Sequence, residues 1–405
     1  MRKSSFKRMF AVLIAGVMVL SLAACAGTPA APSAAPSTDA PAASDAPAAT
    51  GDVVKVGAIA PNTGALAAYG EAVSNGIKLA VKEINAAGGV LDGKMLDVTY
   101  MDDKGDSTEG ANAFNKLVSD GVVGIIGSVT SGVTAGLATK ADEAGMLLLT
   151  PTATADTVTE GFDSVFRACF RDSYQGEMVA KFAAEKLNVK KVAVLYCGAD
   201  AYSAGLYEAF KAACATYGLE LVATESSSSV DDTDYNAQLT NIAASGAELI
   251  FAPYYYSSIG PYIVPQARAA GFKGYMVGAD GWDGTIGTMV DDKSLYNNTF
   301  FTNHYAPDDP SDAVQNFIKA YSAEFDPATL NALAALAYDS VYMLAQAIND
   351  AGSADTAAII EAMTGMSFAG VTGSFTLDET GTPAKSVAII EYKDGAAIWN
   401  STVGG

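Results

Sequence analysis

Short apolar segments alternate with helix-length amphipathic segments along most of the chain. The first apolar segment is VVKVGAIA, residues 53–60. Further segments of the same kind follow it: MLDVTYMDD, VVGIIG, GMLLLT, KKVAVLY, LELVATE, AELIFAP and GYMVGAD. Continuous runs of Val, Ile and Leu, separated by helices, are typical of parallel strands that are buried on both faces. The pattern therefore predicts an α/β fold with parallel sheets flanked by helices.

The helix-length segments carry their apolar residues at helical spacing. GEAVSNGIKLAVKEINAAGG, residues 70–89, places Ile77, Val81 and Ile84 on one face, and two glycines end it. ALAALAYDSVYMLAQAINDAG, residues 332–352, predicts a second long helix. After it, GSFTLDETGTPAKSVAIIEYKDGAAIW predicts antiparallel strands with turns.

The number of strands favours two Rossmann-like lobes over one wide sheet. A change of pattern near FRACFRDSYQGEMVA, residues 166–180, separates a first group of strand–helix units from a second. We predict that residues 52–172 and 304–370 form lobe 1. Residues 173–303 and 371–405 would then form lobe 2.

The first 51 residues have a different character. Residues 1–25 join a basic start, MRKSSFKR, to an uncharged apolar stretch that ends in LAAC, which resembles a bacterial lipobox with Cys25 as the lipidated residue. An uncleaved signal anchor is the alternative interpretation. Residues 26–51 are almost wholly Ala, Pro, Ser, Thr and Asp, which predicts a disordered tether. We predict no transmembrane segment after Cys25.

Charge and cysteine content exclude several classes of function. The formal net charge of −21 would repel nucleic-acid phosphates and anionic lipid headgroups. The chain beyond the lipobox has Cys169, Cys197 and Cys214, with no CxxC spacing, and His304 is its single histidine. A zinc site or a Cys–His or Ser–His nucleophile is therefore poorly supported. We expect three buried thiols, with a Cys197–Cys214 disulfide as the alternative.

In open parallel sheets, ligands bind beyond the carboxyl ends of the strands. The residues at these positions here are mostly uncharged: GSVTSG, TPTAT, CGADAYS, APYYYSS and GADGWD. Ser131, Thr152 and Thr154, together with Thr130, follow two neighbouring strands of the first group. Hydroxyls and amides at helix starts favour a small anion. Each hydroxyl taken alone is equally explained as a helix cap.

The second group of units supplies the opposite charge. Asp280 follows an apolar strand, where a plain surface turn is the alternative explanation. Tyr202 and Tyr255 from the second group and Tyr69 from the first supply aromatic walls with hydroxyl tips. Trp282 either lines the same pocket or packs within the lobe. Hydroxyls for a carboxylate, Asp280 for an ammonium group and aromatic walls together predict a pocket for a free amino acid.

From residue 53 to about residue 399 the chain resembles the branched-chain amino-acid (Leu/Ile/Val) binding proteins of ABC importers, which have the type I periplasmic binding protein fold. The segments that carry the resemblance are KVGAIAPNTGALAAYGEAVSNGIKLAVKEINAAGGVLDGK, DDKGDSTEGANAFNKLVSDGVVGIIG, LLLTPTATADTVT, VFRACFRDSYQGEMVAKF, DYNAQLTNI, IVPQARAAGF and ALAYDSVYMLAQAI. The resemblance implies two lobes joined by three crossovers. It also implies a lipid-anchored, extracytoplasmic, monomeric receptor that delivers its ligand to a membrane permease.

The resemblance also assigns the site residues. Ser131, Thr152 and Thr154 fall where the family binds the α-carboxylate and α-ammonium groups from the first lobe. Tyr202, Tyr255 and Asp280 fall on ligand contacts of the second lobe, and Tyr69 falls on a side-chain contact. Better-known members have Glu where this chain has Asp280 and Ala where it has Thr152.

The resemblance implies a binding protein that is not an enzyme and that uses no cofactor and no metal. Three other functions remain as alternatives. A receptor for amides, urea or another small polar solute would require Asp280 to face solvent. An amino-acid sensor would need an output partner, and a lipid-anchored hydrolase would need Asp280 as its base.

Overall fold

The computed structural model describes residues 53–404. The predicted signal sequence, the tether and the lipidation site Cys25 lie outside the described residues. The described residues form two sheets with helices packed on them. This architecture confirms the α/β prediction.

The first sheet is parallel throughout, in the order β2-β1-β3-β4-β5. Its strands are β1 (Val53–Ala60), β2 (Met95–Asp102), β3 (Gly124–Ile126), β4 (Leu147–Thr150) and β5 (Val165–Arg167). The helices that connect them are α1 (Ala67–Ala86), α2 (Ser107–Ser119) and α3 (Ser131–Ala144). All residues of the two central strands β3 and β4 are buried, as expected for a parallel sheet covered on both faces.

The second sheet has the order β14-β13-β10-β9-β8-β6-β7. Its strands are β6 (Lys191–Cys197), β7 (Glu220–Ser227), β8 (Leu249–Phe251), β9 (Tyr275–Gly278), β10 (Thr299–Asn303), β13 (Val387–Lys393) and β14 (Ala396–Val403). Strands β6 to β10 run parallel, and β13 and β14 extend the edge antiparallel. A separate hairpin pairs β11 (Ser367–Gly370) with β12 (Gly373–Thr376).

The remaining helices are distributed between the two sheets. They are α4 (Asp172–Glu185), α5 (Ala201–Thr216), α6 (Asn236–Ala244), α7 (Tyr256–Ser258), α8 (Val264–Ala269), α9 (Asp312–Glu324), α10 (Ala332–Ala351) and α11 (Thr356–Met363). α4 packs on α5, whereas α9 and α10 pack on α1 of the first sheet. The α1–α10 contact is close because α1 has a glycine there: a Cβ on Gly76 would lie 2.2 Å from the Ala334 carbonyl oxygen.

The chain passes between the two sheets three times, in agreement with the predicted three-crossover hinge. The first crossover, residues 168–171, joins β5 to α4. The second, residues 304–311, joins β10 to α9, and the third, residues 377–386, joins β12 to β13. We call the part built on the first sheet, including α9 to α11, the first lobe, and the part built on the second sheet the second lobe.

The three cysteines of the described residues and Trp282 are buried in the protein interior. Cys169, Cys197 and Cys214 are all buried free thiols. Trp282 is fully buried in the core of the second lobe, and its Nε1 donates to the Ala252 carbonyl oxygen at 2.8 Å. Of the two interpretations of Trp282, packing within the lobe is therefore correct.

Candidate ligand-binding site

The carboxyl ends of both sheets face one cavity between the lobes. It is small, with a volume of about 20 Å³. The residues that line it are Tyr69, Val129, Thr130, Ser131, Thr152, Tyr202, Tyr255, Asp280, Gly281 and Leu333. Most of them come directly after strands β3, β4, β8 and β9 or from the first turn of α3 or α5. The strand-end rule thus locates the cavity.

Six of the seven predicted ligand residues line this cavity, and Thr154 does not. Thr154 is fully buried, and its Oγ1 has no hydrogen-bond partner among the described residues. Its carbonyl oxygen accepts from Arg167 Nη1 at 2.7 Å and from the Asp172 amide at 2.9 Å. The structure therefore places Thr154 behind the cavity wall, in the loop that carries Thr152.

The wall from the first lobe is made of hydroxyl groups that hold two loops together. Thr152 Oγ1 donates to the Val129 carbonyl oxygen at 2.8 Å, and Ser131 Oγ accepts from the Ala155 amide at 3.2 Å. Thr130 and Ser131 begin α3, whose first turn has no side-chain cap. The positive end of the α3 dipole therefore lies at this wall, and the first turn of α3 has no acidic residue.

Arg167 supports this wall from behind. Its side chain is fully buried at the end of β5. The guanidinium donates to acceptors of one loop: the carbonyl oxygens of Ala153, Thr154, Ala155 and Asp156, and Thr159 Oγ1. A buried arginine bonded mainly to carbonyl oxygens fixes the path of that loop. The sequence analysis did not identify this role.

Asp280 forms the wall from the second lobe and is only 5% exposed. Its Oδ1 accepts from Tyr202 Oη at 2.9 Å and from Gln175 Nε2 at 3.0 Å. Its Oδ2 lies 3.2 Å from His304 Nε2. Within residues 53–404, no Lys or Arg forms a salt bridge with it. The side-chain partners of the carboxylate are thus a tyrosine hydroxyl, an amide and an imidazole.

Three tyrosines form the aromatic side of the cavity. The rings of Tyr202 and Tyr255 stack with centroids 5.2 Å apart, and Tyr69 meets Tyr255 edge-on at 6.3 Å. Burial raises the pKa of all three hydroxyls well above its ordinary value. The charge of Asp280 raises the pKa of Tyr69 and Tyr202 further, and the charge of Asp200 does so for Tyr255. The hydroxyls are therefore neutral and act as hydrogen-bonding groups.

Hydrogen bonds close the cleft around the cavity. Tyr69 Oη donates to the Gly281 carbonyl oxygen, and Tyr256 Oη donates to the Ala65 carbonyl oxygen at 3.1 Å. A third bond from lobe to lobe runs from the Ala332 amide to Asp283 Oδ2 at 2.8 Å. The structure is therefore that of a closed form.

A second carboxyl group lies behind the first. Asp172, at the start of α4, is fully buried, and its Oδ1 accepts from Gln175 Nε2 at 3.3 Å. Its Oδ2 has no hydrogen-bond partner in the described part of the chain. Burial, and next the charge of Asp280, raise the pKa of Asp172 well above its ordinary value. Neither Asp172 nor Gln175 was predicted as part of the site.

We expect the wild type to lose stability between pH 5 and pH 8, and we expect Asp172→Asn to reduce this loss. A carboxyl whose folded pKa is raised binds its proton more tightly in the native state, so stability falls as pH rises above the unfolded pKa of about 3.9. The neutral amide removes this loss, which we expect to be about 1–3 kcal/mol because the Oδ2 atom is buried without a donor. Urea unfolding at both pH values measures it.

The exposed Asp142 provides the matched control. Asp142→Asn should leave the difference in stability between pH 5 and pH 8 as it is in the wild type. If Asp172→Asn behaves like this control, Asp172 is not the source of the pH dependence.

The described residues offer neither a metal cluster nor a membrane span. Among residues 53–404, no group of three or more His, Cys, Asp or Glu side chains is arranged to hold a metal ion. No helix in the same range is both long and apolar enough to cross a membrane.

Comparison with known proteins gives one consistent result. Residues 53–397 match the family model described as periplasmic binding protein. The Leu/Ile/Val-binding protein homolog 3 of Brucella melitensis is 33% identical over 85% of this chain and 93% of its own length.

Two solved structures are similar over nearly their full length. The leucine-binding protein LivK of Thermotoga maritima is 32% identical, with a TM-score of 0.79 over 87% of this chain and 99% of that one. The branched-chain amino-acid binding protein LivJ of Streptococcus pneumoniae, solved with isoleucine, is 33% identical, with a TM-score of 0.78 over 86% of this chain and 99% of that one. The chain belongs to the periplasmic binding protein family, among the substrate-binding proteins for branched-chain amino acids of ABC transporters.

Proposed function

We propose that this protein captures a free amino acid, branched-chain or otherwise apolar, by closing its two lobes. The observation that carries the proposal is the pairing of opposite walls in one cavity. Asp280 presents a buried carboxylate that has no Lys or Arg partner among residues 53–404, and the hydroxyls of the first lobe, next to the start of α3, present an environment for an anion. A zwitterion satisfies both walls at once.

The side chain of the ligand would lie against Tyr69, Tyr202, Tyr255 and Leu333. Aromatic and aliphatic walls gain from burying an apolar group. The relatives named for leucine, isoleucine and valine support this ligand class. The alternative receptor for neutral amides would leave the charge of Asp280 unpaired, because Asp280 faces the cavity and is 5% exposed.

The proposed role includes delivery to a membrane permease of an ABC importer, from a position outside the cytoplasm. The membership of the family supports it, since the relatives are transporter proteins. We further propose that the chain is anchored by a lipid on Cys25, from the LAAC motif. Mass spectrometry of the N-terminal peptide tests the anchor, because an unmodified or uncleaved N-terminus contradicts it.

A thermal-shift panel tests the ligand class directly. The purified protein, freed of any co-purified ligand by partial unfolding and dialysis, is heated with each of the twenty amino acids, urea and acetamide. A ligand at about 100 times its dissociation constant should stabilise the protein by roughly 2.7 kcal/mol. We expect Leu, Ile or Val to give the largest rise in melting temperature. A rise with the amides alone, or with no compound, contradicts the proposal.

A further inference from the structure

His304 lies in the hinge, in contact with Asp280 of the ligand cavity. It is the first residue of the second crossover, and its side chain is fully buried. Its ring stacks on Phe170 of the first crossover, with centroids 3.8 Å apart. Its Nε2 lies 3.2 Å from Oδ2 of Asp280. The imidazole is therefore carried by the second crossover and contacts both the first crossover and the carboxylate of the site.

The contact with Oδ2 of Asp280 requires a proton on Nε2 of His304. An ionised carboxylate only accepts, so the atom facing Oδ2 must donate. Nδ1 has no hydrogen-bond partner among the described residues, and a second proton there would bury a charged donor without an acceptor. Burial lowers the pKa of His304, although Asp280 opposes the shift.

The other charged groups around the ring act in the same sense or are already paired. Lys385, in the third crossover, adds a positive charge that also lowers the pKa of His304. Lys385 Nζ donates to Thr372 Oγ1 at 2.8 Å and is attracted by Asp339. Asp172 reaches the site through Gln175, on the Oδ1 side of Asp280. Asp280 is thus the acid that contacts the ring.

The two oxygens of Asp280 are held differently. Oδ1 has two donors, Tyr202 and Gln175, and would keep one if the other were lost. Oδ2 has His304 as its side-chain partner in residues 53–404. A lysine or arginine in that place would neutralise the carboxylate, whereas a neutral imidazole orients it and leaves its charge available.

We propose that His304 is a positioning residue for ammonium recognition: its Nε2–H, fixed in the second crossover, aims Oδ2 of Asp280 at the ammonium group of the ligand. This inference rests on the proposed function. The proposal predicts that loss of His304 lowers the affinity for ligands that carry an ammonium group and leaves the affinity for ligands without one nearly unchanged.

The test compares two ligands on three forms of the full-length chain. The ligands are L-leucine and 4-methylpentanoate, which has the same carbon skeleton and carboxylate but no ammonium group. The forms are the wild type, His304→Leu and His304→Gln, and calorimetry at pH 7.5 gives the affinities. Glutamine can place an N–H near the position of Nε2, whereas leucine fills the space without a donor.

We expect His304→Leu to lose about ten- to hundredfold in affinity for L-leucine, as for a hydrogen bond to a charged group. Its affinity for 4-methylpentanoate should change by less than about threefold, because this ligand does not use Asp280. His304→Gln should recover most of the affinity for L-leucine. Equal losses for both ligands, or a glutamine variant as weak as the leucine variant, would overturn the proposal.

Two controls separate this inference from other failures. Tyr305→Phe, in the same crossover, removes a buried hydroxyl that has no partner in the described residues, and should leave both affinities unchanged. A wild type that binds no amino acid refutes the proposed function itself. A wild type that binds L-leucine with a preference over 4-methylpentanoate that His304→Leu retains refutes only the role of His304.

The protonation state has its own measurement. Between pH 7.0 and pH 8.5 Lys385 also titrates, because burial lowers its pKa to about 8. A neutral His304 ring therefore predicts that the affinity for L-leucine depends on pH in the same way in the wild type and in His304→Gln over this range. A charged ring would compete with the ammonium group of the ligand for the Asp280 carboxylate until the ring lost its proton. An affinity that rises over this range in the wild type and stays constant in His304→Gln would contradict the neutral ring.

Discussion

Asp280→Asn is expected to weaken the binding of L-leucine by about 2–5 kcal/mol while the protein stays folded. Asparagine has nearly the same volume, so the wall of the cavity keeps its shape. The loss comes from the charge: Asp280 is buried, is held by neutral donors and has no Lys or Arg partner in the described chain. A ligand ammonium group would then be desolvated without a counter-charge.

Calorimetry on the wild type and the variant measures this effect. Asp339→Asn is the matched control, because Asp339 is equally buried but accepts from Thr372 and the Val371 amide, away from the cavity. We expect that control to lower stability and to leave the affinity for L-leucine unchanged. An affinity of Asp280→Asn equal to that of the wild type would remove Asp280 from the site.

The strands that the sequence predicted are those with a continuous apolar run. Three strands were missed: β5, β10 and the short hairpin strand β11. Local reasons explain the first two. β5 is three residues long and ends in Arg167, and it leads directly into the first crossover. β10 is TFFTN, whose polar residues are buried because Thr302 donates to Gln175 and Thr299 donates to the Tyr296 carbonyl oxygen. A buried strand is hard to predict from sequence when its polar side chains are hydrogen-bonded to residues distant in the chain, because the strand then lacks a continuous apolar run.

The site was predictable where a residue directly follows a strand or begins the next helix. Ser131, Thr152 and Asp280 meet this condition and line the cavity. Thr154 lies two residues beyond Thr152, in the loop that Arg167 holds, and is turned away from the cavity. The distance along the chain from a strand end does not predict which residues of a loop face the cavity when a buried side chain such as Arg167 fixes the path of that loop.

The residues that hold Asp280 were not predictable from spacing. Gln175 lies 105 residues before Asp280 and His304 lies 24 residues after it. Gln175 lies in α4 just after the first crossover and His304 begins the second crossover, so their positions depend on how the two sheets meet. The sequence showed His304 as a lone histidine, and only the three-dimensional arrangement connects it with the carboxylate.

Arg167→Met is expected to lower the free energy of unfolding by about 3–5 kcal/mol. The wild-type guanidinium is fully buried and donates to four carbonyl oxygens and one hydroxyl of residues 153–159. Methionine fills much of the space but donates nothing, so these acceptors are left buried without donors, at about 1–3 kcal/mol for each one that stays unsatisfied. Urea unfolding followed by circular dichroism measures the change.

Arg268→Met is the control that shows whether burial is the cause. Arg268 also donates to four carbonyl oxygens, those of Phe272, Gly274, Leu295 and Asn297, but it is only part-buried, so water can replace the lost donors. We expect a smaller loss of stability in Arg268→Met and an unchanged affinity for L-leucine.

Arg167→Met should also weaken L-leucine binding, because the loop that Arg167 fixes carries Thr152 into the cavity. Equal destabilisation by both variants, with equal affinities, would show that Arg167 stabilises the lobe without shaping the site.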